Sequence, residues 1–285
     1  MDQKYIDIYD EFTHSDSMTR RELLEKLTRA AGGAAAAVAV MPMLENNYVN
    51  AQTVAENLKT KYISYQGVSG KMRGYLARPK KKPKGGFPSV LVIHENRGLN
   101  PHIEDVARRA ANAGFMALAV DALSPLGGTP KDMDEARGMI GKLDREKTVG
   151  DFVAGVKYLK ENSKSNGKVG CVGFCWGGSM ANQMAVNSPD MRAAVAFYGG
   201  QPKAEDVPKI KGAVMLHYAG LDERINAGID AYKEALSKAK VEFEVFVYDN
   251  VNHAFHNDTN EARYNKEAAE LAWSRTVEFW KKHLA

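Results

Sequence analysis

The sequence has few of the features that assign a chain to a specialised class of protein. It has only two cysteines, Cys171 and Cys175, which are too close along one strand and its turn for an unstrained disulfide. No group of cysteines and histidines has metal-ligand spacing, so no metal is expected. The formal net charge is only +4 and the charges of both signs are intermixed, so no nucleic-acid partner is expected.

Long hydrophobic runs are also absent. The apolar run at residues 31–44 is shorter than the roughly 18 residues of a membrane-spanning helix, so no membrane span is expected. Arg20 and Arg21 precede this run and Ala51 follows it, which resembles a twin-arginine secretion signal and predicts a periplasmic protein. The alternative is an amphipathic helix over residues 18–30 that packs on the domain of a cytoplasmic protein.

Two regions differ in composition. Residues 1–55 are interpreted as an N-terminal leader or helical extension, and residues 56–285 as one domain. From residue 60 onward, strand-like runs such as "SVLVIHE" and "FMALAVD" alternate with helix-like runs. The helical region 131–162 is expected to break near Lys147–Gly150. About eight strands in this alternation predict an α/β fold, a three-layer sandwich with a mostly parallel sheet.

The stretch "GFCWG" places Cys175 between two glycines, where a predicted strand turns into a predicted helix. This G-x-C-x-G pattern is the cysteine form of the nucleophile elbow, in which a strained turn displays the nucleophile above the strand ends. The backbone N–H of Trp176, at the start of the helix, is the natural donor to an oxyanion. The alternative is a buried cysteine at an ordinary turn.

A nucleophile of this kind needs a base and an acid that orients the base. Asp222 and His253 follow Cys175 in the order expected for this fold, and each comes directly after a predicted strand. Both therefore belong to loops at the edge of the sheet that carries the elbow. Taken separately, Asp222 is a common turn residue and His253 a common surface histidine.

From about residue 60 to its end, the chain resembles the dienelactone hydrolase (carboxymethylenebutenolidase) family of the α/β-hydrolase superfamily. The motifs that carry the resemblance are "HENRGLNPHIEDVARRAANAGFMALAVD", "VGFCWGG", "AGLDERI" and "NHAFH". The resemblance implies a triad of Cys175, Asp222 and His253. It also implies that Glu95 helps to deprotonate the thiol and that the backbone N–H of Asn96 is the second oxyanion donor. The alternative is that Glu95 pairs with Arg97 or another cation and only shapes the loop.

The chain departs from the family where a substrate carboxylate would bind. Two arginines are expected there, but the matching stretches offer Ser124 with Pro125, and His256 with Asn257. The remaining candidate substrate-binding residues are Arg97, Tyr198, Arg224 and His256. We therefore expect the type of reaction to carry over more securely than the dienelactone substrate.

The sequence thus predicts a cysteine-dependent hydrolase that cleaves a small ester or lactone through a thioester, with no organic cofactor. Two alternatives stay open. One is a thiol redox or sensor protein that uses both cysteines, and the other is a hydrolase fold that binds ligands without turnover. The oligomeric state is not predicted.

Overall fold

One eight-stranded sheet forms the centre of the fold. The computed structural model describes residues 1–15, 18–48, 53 and 55–285. The strands in these residues are β1 Leu58–Gln66, β2 Lys71–Pro79, β3 Phe87–Ile93, β4 Met116–Asp121, β5 Ser165–Phe174, β6 Met191–Phe197, β7 Ala213–Ala219 and β8 Phe243–Tyr248. Their order across the sheet is β1-β2-β4-β3-β5-β6-β7-β8.

The sheet is mostly parallel. Strands β3 to β8 run parallel to their neighbours, whereas β1 and β2 form an antiparallel hairpin and β2 is antiparallel to β4. The apolar residues of β3 and β4 are almost all buried, as expected for strands covered on both faces. The prediction of about eight strands in a mostly parallel sheet is confirmed.

Helices cover both faces of the sheet. The described helices are α1 Gln3–His14, α2 Arg20–Ala31, α3 Ala34–Leu44, α4 Pro101–Asn112, α5 Met133–Ile140, α6 Arg145–Glu161, α7 Trp176–Asn187, α8 Glu223–Asn226, α9 Ile229–Lys238 and α10 Lys266–Leu284. One face packs against α4 and α10 through residues such as Val106 and Trp280. The other packs against α6, α7 and α9 through residues such as Phe152 and Met184. This arrangement confirms the predicted three-layer α/β fold.

The break in the helical region 131–162 lies earlier than the sequence predicts. Helix α5 ends at Ile140 and α6 begins at Arg145, so Lys147–Gly150 lies inside a continuous helix. The side chain of Asp144 explains the position, because it caps α6 by accepting a hydrogen bond from the backbone N–H of Lys147. The predicted break was therefore placed a few residues too late.

The first three helices pack together as a small separate cluster. Its buried apolar residues come from all three helices and from the loop between α1 and α2: Ile6, Tyr9, Phe12, Met18, Leu23, Leu27, Ala37, Met41 and Leu44. Ala262, from the loop before α10, packs against this cluster and joins it to the rest of the molecule. Helix α2 begins with a capping box in which Thr19 and Glu22 bond to each other's backbone.

The leader region was interpreted either as an export signal or as a packed helix. No single described helix is long and apolar enough to cross a membrane, whereas α2 and α3 together meet that criterion by length and composition, with a bend of 115° between them. The proposed cleavage point after Ala51 lies outside the described residues. The division at residue 55 and the export signal both stay predictions.

Candidate active site

Cys175 lies at a sharp turn between β5 and α7. Its backbone has φ 56° and ψ −117°, a conformation that L-residues rarely adopt. The flanking glycines are required by space: a Cβ on Gly173 would lie 1.8 Å from the carbonyl oxygen of Gly177, and one on Gly177 would lie 2.4 Å from the carbonyl oxygen of His94. The G-x-C-x-G pattern therefore forms a strained elbow that displays the cysteine where α7 begins.

His253 and Asp222 form a hydrogen-bonded pair beside this elbow. Nδ1 of His253 lies 2.5 Å from Oδ2 of Asp222, and both side chains are buried. Asp222 follows β7 and caps α8 by accepting from the backbone N–H of Ile225, which fixes the carboxylate in place. His253 follows β8, the next strand of the sheet. The reactive atoms of Cys175 and His253 lie within 4.8 Å of each other.

The surroundings shift the pKa values of both residues of this pair. Burial acts to lower the pKa of His253, but the negative charge of Cys175 and the hydrogen bond with Asp222 outweigh it and raise the pKa to about 10. Burial acts to raise the pKa of Asp222, yet its hydrogen bond with His253 holds that pKa below its usual value. The hydrogen bond between the two groups thus favours the charged form of each.

A second histidine reaches the same place from α1. Nε2 of His14 lies 3.4 Å from Sγ of Cys175 and 3.2 Å from Nε2 of His253. Its other nitrogen, Nδ1, lies 2.8 Å from the carbonyl oxygen of Asp10, one turn earlier in the helix. Burial and the positive charges of His253 and Arg224 lower the pKa of His14 well below its usual value. Sequence reasoning missed this residue.

Polar contacts hold the end of α1 over the site. The side-chain amide of Asn96 donates to the carbonyl oxygen of Thr13 at 2.7 Å. Arg137 from α5 donates to the carbonyl oxygens of Phe12 and Ser15, and Arg263 pairs with Asp10 at 2.6 Å. Because these contacts come from three separate segments of the chain after residue 55, they fix the position of His14.

Glu95 and Cys175 line the same small cavity of about 20 Å³, which His253 and Arg263 also border. The Glu95 carboxylate is buried, and Oε2 accepts a hydrogen bond from the side-chain amide of Asn257 at 2.8 Å. Its other oxygen, Oε1, has no hydrogen-bond partner among the described residues. A buried carboxylate oxygen without a partner is costly, which marks this position as a candidate for chemistry.

A larger cavity of about 210 Å³ opens on the other side of Cys175. Asn96 and Trp176, whose backbone N–H groups are the predicted oxyanion donors, both line it. So does Tyr198, whose buried ring lies 4.9 Å from the ring of His253. The exposed Arg224 also borders this cavity. The structure thus brings these four predicted residues together around the cysteine.

The two other candidate substrate residues are placed differently. Arg97 lines the small cavity, but its guanidinium binds Asp134 at 2.7 Å and the carbonyl oxygen of Met133 at 2.9 Å. His256 lies in the aromatic core, stacked on Phe174 at 4.9 Å, and lines neither cavity beside Cys175. The sequence prediction did not foresee that the residue three after His253 points into the core.

Comparison with known proteins adds an independent result. The model of the dienelactone hydrolase family matches residues 72–284. This chain belongs to the dienelactone hydrolase family. A protein of Saccharolobus solfataricus named "Putative carboxymethylenebutenolidase" is 33% identical over 260 residues, covering 78% of this chain and 98% of the relative. Protein usf of Aquifex pyrophilus is 36% identical over 231 residues, covering 78% of this chain and 98% of the relative.

Solved structures show the same fold. The crystal structure of a dienelactone hydrolase from Anabaena variabilis superposes with a TM-score of 0.64 at 20% identity, covering 81% of this chain and 100% of the other. The family and fold together identify the chain as a dienelactone hydrolase-like hydrolase of the α/β-hydrolase type.

In this dienelactone hydrolase-like chain, the residues at the positions of the two expected arginines make other contacts. Ser124 donates to the carbonyl oxygen of Asp121 at 2.6 Å and accepts from the backbone N–H of Arg73 at 2.9 Å, so it closes a turn. Asn257 holds Glu95, as described above. Arg263 is a buried cation near Asn257, and sequence reasoning missed it because it lies six residues after Asn257 and is positioned by Asp10 from α1.

The second cysteine of this family member has a different environment. Cys171 is fully buried in the middle of β5, and burial raises its pKa to about 12. Both cysteines are free thiols. A thiol that stays protonated inside the core is a poor partner for redox chemistry with Cys175.

Proposed function

We propose that this hydrolase cleaves small esters or lactones with Cys175 as nucleophile and a thioester as intermediate. The observation that carries the proposal is the placement of Cys175 at the elbow, beside the hydrogen-bonded pair of His253 and Asp222. His253 is held by Asp222, its pKa is raised to about 10, and it lies within reach of a cysteine at the start of a helix. Such a pair supplies a thiolate and a proton donor together.

The first half of the reaction forms the thioester. The Cys175 sulfur attacks the carbonyl carbon, a C–S bond forms, and the carbonyl electron pair moves onto oxygen. The backbone N–H groups of Trp176 and Asn96 stabilise this oxyanion. As it collapses, the C–O bond to the leaving group breaks and His253 gives its Nε2 proton to the departing oxygen.

The second half hydrolyses the thioester. His253, now neutral at Nε2, takes a proton from a water molecule whose oxygen attacks the thioester carbonyl. The C–S bond breaks, the acid leaves and the proton on His253 again faces a thiolate at Cys175. Water and substrate are the only co-reactants, and no cofactor takes part in the proposed steps.

Glu95 has a separate role in this proposal. If Cys175 rests as a thiol, the unpartnered Oε1 of Glu95 in the adjoining small cavity is a base for its proton. The hydrogen bond from Asn257 holds the carboxylate by its other oxygen, so that Oε1 remains available. Glu95 thus acts on the resting thiol, whereas His253 acts during turnover.

The two cysteines offer a matched test. We expect Cys175→Ala to lower the hydrolysis of 4-nitrophenyl acetate by a factor on the order of 10³ or more, as the loss of a nucleophile does in other triads. Cys171→Ala removes the other thiol and should keep most of the activity. Mass spectrometry of a quenched His253→Ala reaction should find the acyl group on the peptide that contains Cys175.

Three outcomes distinguish the alternatives. Near-normal turnover by Cys175→Ala would disprove the nucleophile assignment. Loss of activity in Cys171→Ala as well, with a reversible disulfide in the wild type, would favour the redox or sensor alternative. Absence of turnover in the wild type on a panel of esters and lactones would favour a hydrolase fold that binds without catalysis.

A further inference from the structure

Three groups that bind soft metal ions converge at the candidate active site. They are Nε2 of His14, Sγ of Cys175 and Nε2 of His253, all within 4.8 Å of one another. We propose that they form a binding site for one zinc-like divalent ion, and that this ion inhibits the enzyme. The sequence predicts no metal here because its ligands are far apart along the chain: His14 lies 161 residues before Cys175.

The separations fit a tetrahedral zinc ion. With Zn–N bonds of about 2.0–2.1 Å and Zn–S bonds of about 2.3 Å, tetrahedral ligands lie about 3.3 Å apart for two nitrogens and about 3.6 Å apart for nitrogen and sulfur. The two histidine nitrogens are 3.2 Å apart, and His14 Nε2 is 3.4 Å from Sγ. The third pair, Sγ of Cys175 and Nε2 of His253, is at most 4.8 Å apart. These two atoms need to approach by at most about 1 Å to reach the tetrahedral separation.

The other nitrogen of each ring fixes the direction of the lone pairs. The carbonyl oxygen of Asp10 only accepts hydrogen bonds, so Nδ1 of His14 carries the proton and Nε2 carries the lone pair. The carboxylate of Asp222 likewise accepts from Nδ1 of His253. A carboxylate or backbone carbonyl behind each ring is the arrangement found around metal-bound histidines, where it orients the ring. Both histidines here have it.

These lone pairs need a positive group between them. Without one, the two Nε2 atoms face each other at 3.2 Å as two acceptors. A metal ion between the two rings meets this need and takes the sulfur of Cys175 as a third ligand, and the carboxylates of Asp222 and Glu95 nearby add favourable negative charge.

The ligand types select the metal. A thiolate and two imidazoles suit zinc and similar ions, whereas magnesium and calcium prefer oxygen ligands. The three ligands also line the cavity of about 210 Å³, so the fourth position faces a space large enough for water. Inhibition follows from the proposed function, because the ion would occupy the lone pairs of both the nucleophile and the base.

Cobalt(II) tests the site without measuring turnover. Chelator-treated full-length protein is titrated with Co²⁺, which in a tetrahedral site with a thiolate ligand gives intense visible bands and a sulfur-to-metal charge-transfer band. We expect one Co²⁺ per chain, displaced by one Zn²⁺. Cys175→Ser should abolish the charge-transfer band, and His14→Gln should weaken Co²⁺ binding at least tenfold. His283→Gln, which removes a histidine near the end of α10, is the matched control and should bind as the wild type does.

Two results would overturn the proposal. One is an octahedral Co²⁺ spectrum without a charge-transfer band, and the other is equal affinity of His14→Gln and the wild type in proteins whose circular dichroism shows that they are folded. In the metal-free enzyme, Zn²⁺ should inhibit ester hydrolysis and a chelator should restore it. A chain that binds Co²⁺ as described but hydrolyses no ester would contradict the proposed function and leave the metal site intact. A chain that hydrolyses esters but binds no Co²⁺ would contradict only the metal site.

Discussion

Nδ1 of His253 donates its proton to Asp222, and this contact sets the tautomer of the ring and, together with Cys175, raises its pKa. The carboxylate can only accept, so Nδ1 must donate and Nε2 is left to face the substrate. An asparagine could rotate its amide N–H toward the ring and favour the opposite tautomer. Such a change would leave the side chains in place, but Nε2 of His253 would carry the proton and could no longer accept one.

We therefore predict that Asp222→Asn lowers kcat by a factor of about 10³–10⁴. Because the Asp222 charge helps to raise the pKa of His253 to about 10, NMR titration of the imidazole should show a lower pKa in the variant. Asp230→Asn, at a fully exposed carboxylate, is the control. An unchanged pKa of His253 in Asp222→Asn would contradict the proposed role.

The hydrogen bond from His253 to Asp222, together with the charge of Cys175, also makes the free energy of unfolding depend on pH. The pKa of His253 in the folded protein, about 10, lies above its ordinary value of 6.5. The contribution of this group to stability is therefore fully present below pH 6.5 and is lost as the pH rises through about 10. The difference in stability between the wild type and Asp222→Asn should shrink over that interval.

At the scale of elements, α1 connects the N-terminal helices to the candidate active site. Phe12 is buried in the helical cluster, and the guanidinium of Arg137 lies 4.0 Å from the centre of its ring. Two residues later, His14 reaches Cys175. The docking of this helix therefore determines whether His14 stays in the site.

We predict that Phe12→Ala loosens α1 from the domain, because large-to-small changes in a core cost about 3–5 kcal/mol. Hydrogen–deuterium exchange should become faster in residues 3–14, and iodoacetamide should alkylate Cys175 faster because His14 no longer covers it. Val38→Ala, at a position 66% exposed on α3, is the control. Unchanged exchange in α1 would show that Phe12 does not hold it in place.

The elements also explain what the sequence could and could not predict. Cys175, Asp222 and His253 could be predicted to lie together because each follows a strand, and parallel strands bring their carboxyl ends to one edge of a sheet. His14 gives no such signal, since its place depends on how three helices dock. Their Ala-rich run also has the composition of an export signal, which remains a prediction. Likewise, no local pattern shows that Asn257 holds Glu95.

At the scale of the whole molecule, the cations around the two cavities are largely committed to the protein itself. Arg97 is paired with Asp134, and Arg263 with Asp10. Arg137 binds carbonyl oxygens at the end of α1. Arg224 is exposed at the rim of the larger cavity, where water weakens its interactions. The buried carboxylate of Glu95 adds negative charge close to the cysteine.

This charge distribution predicts the preferred substrates. A substrate carboxylate would lose hydration without gaining a free buried cation, and Glu95 would repel it. We therefore expect kcat/KM for neutral lactones or aryl esters to be at least as high as for carboxylate-bearing dienelactones of similar size.

The measurement is steady-state kinetics on a matched acid and its methyl ester, repeated with Arg224→Gln. A tenfold preference for the acid, about 1.4 kcal/mol in transition-state binding, would contradict this prediction. If Arg224→Gln abolished that preference, Arg224 at the rim of the larger cavity would be the residue that binds the substrate carboxylate in place of the two missing arginines.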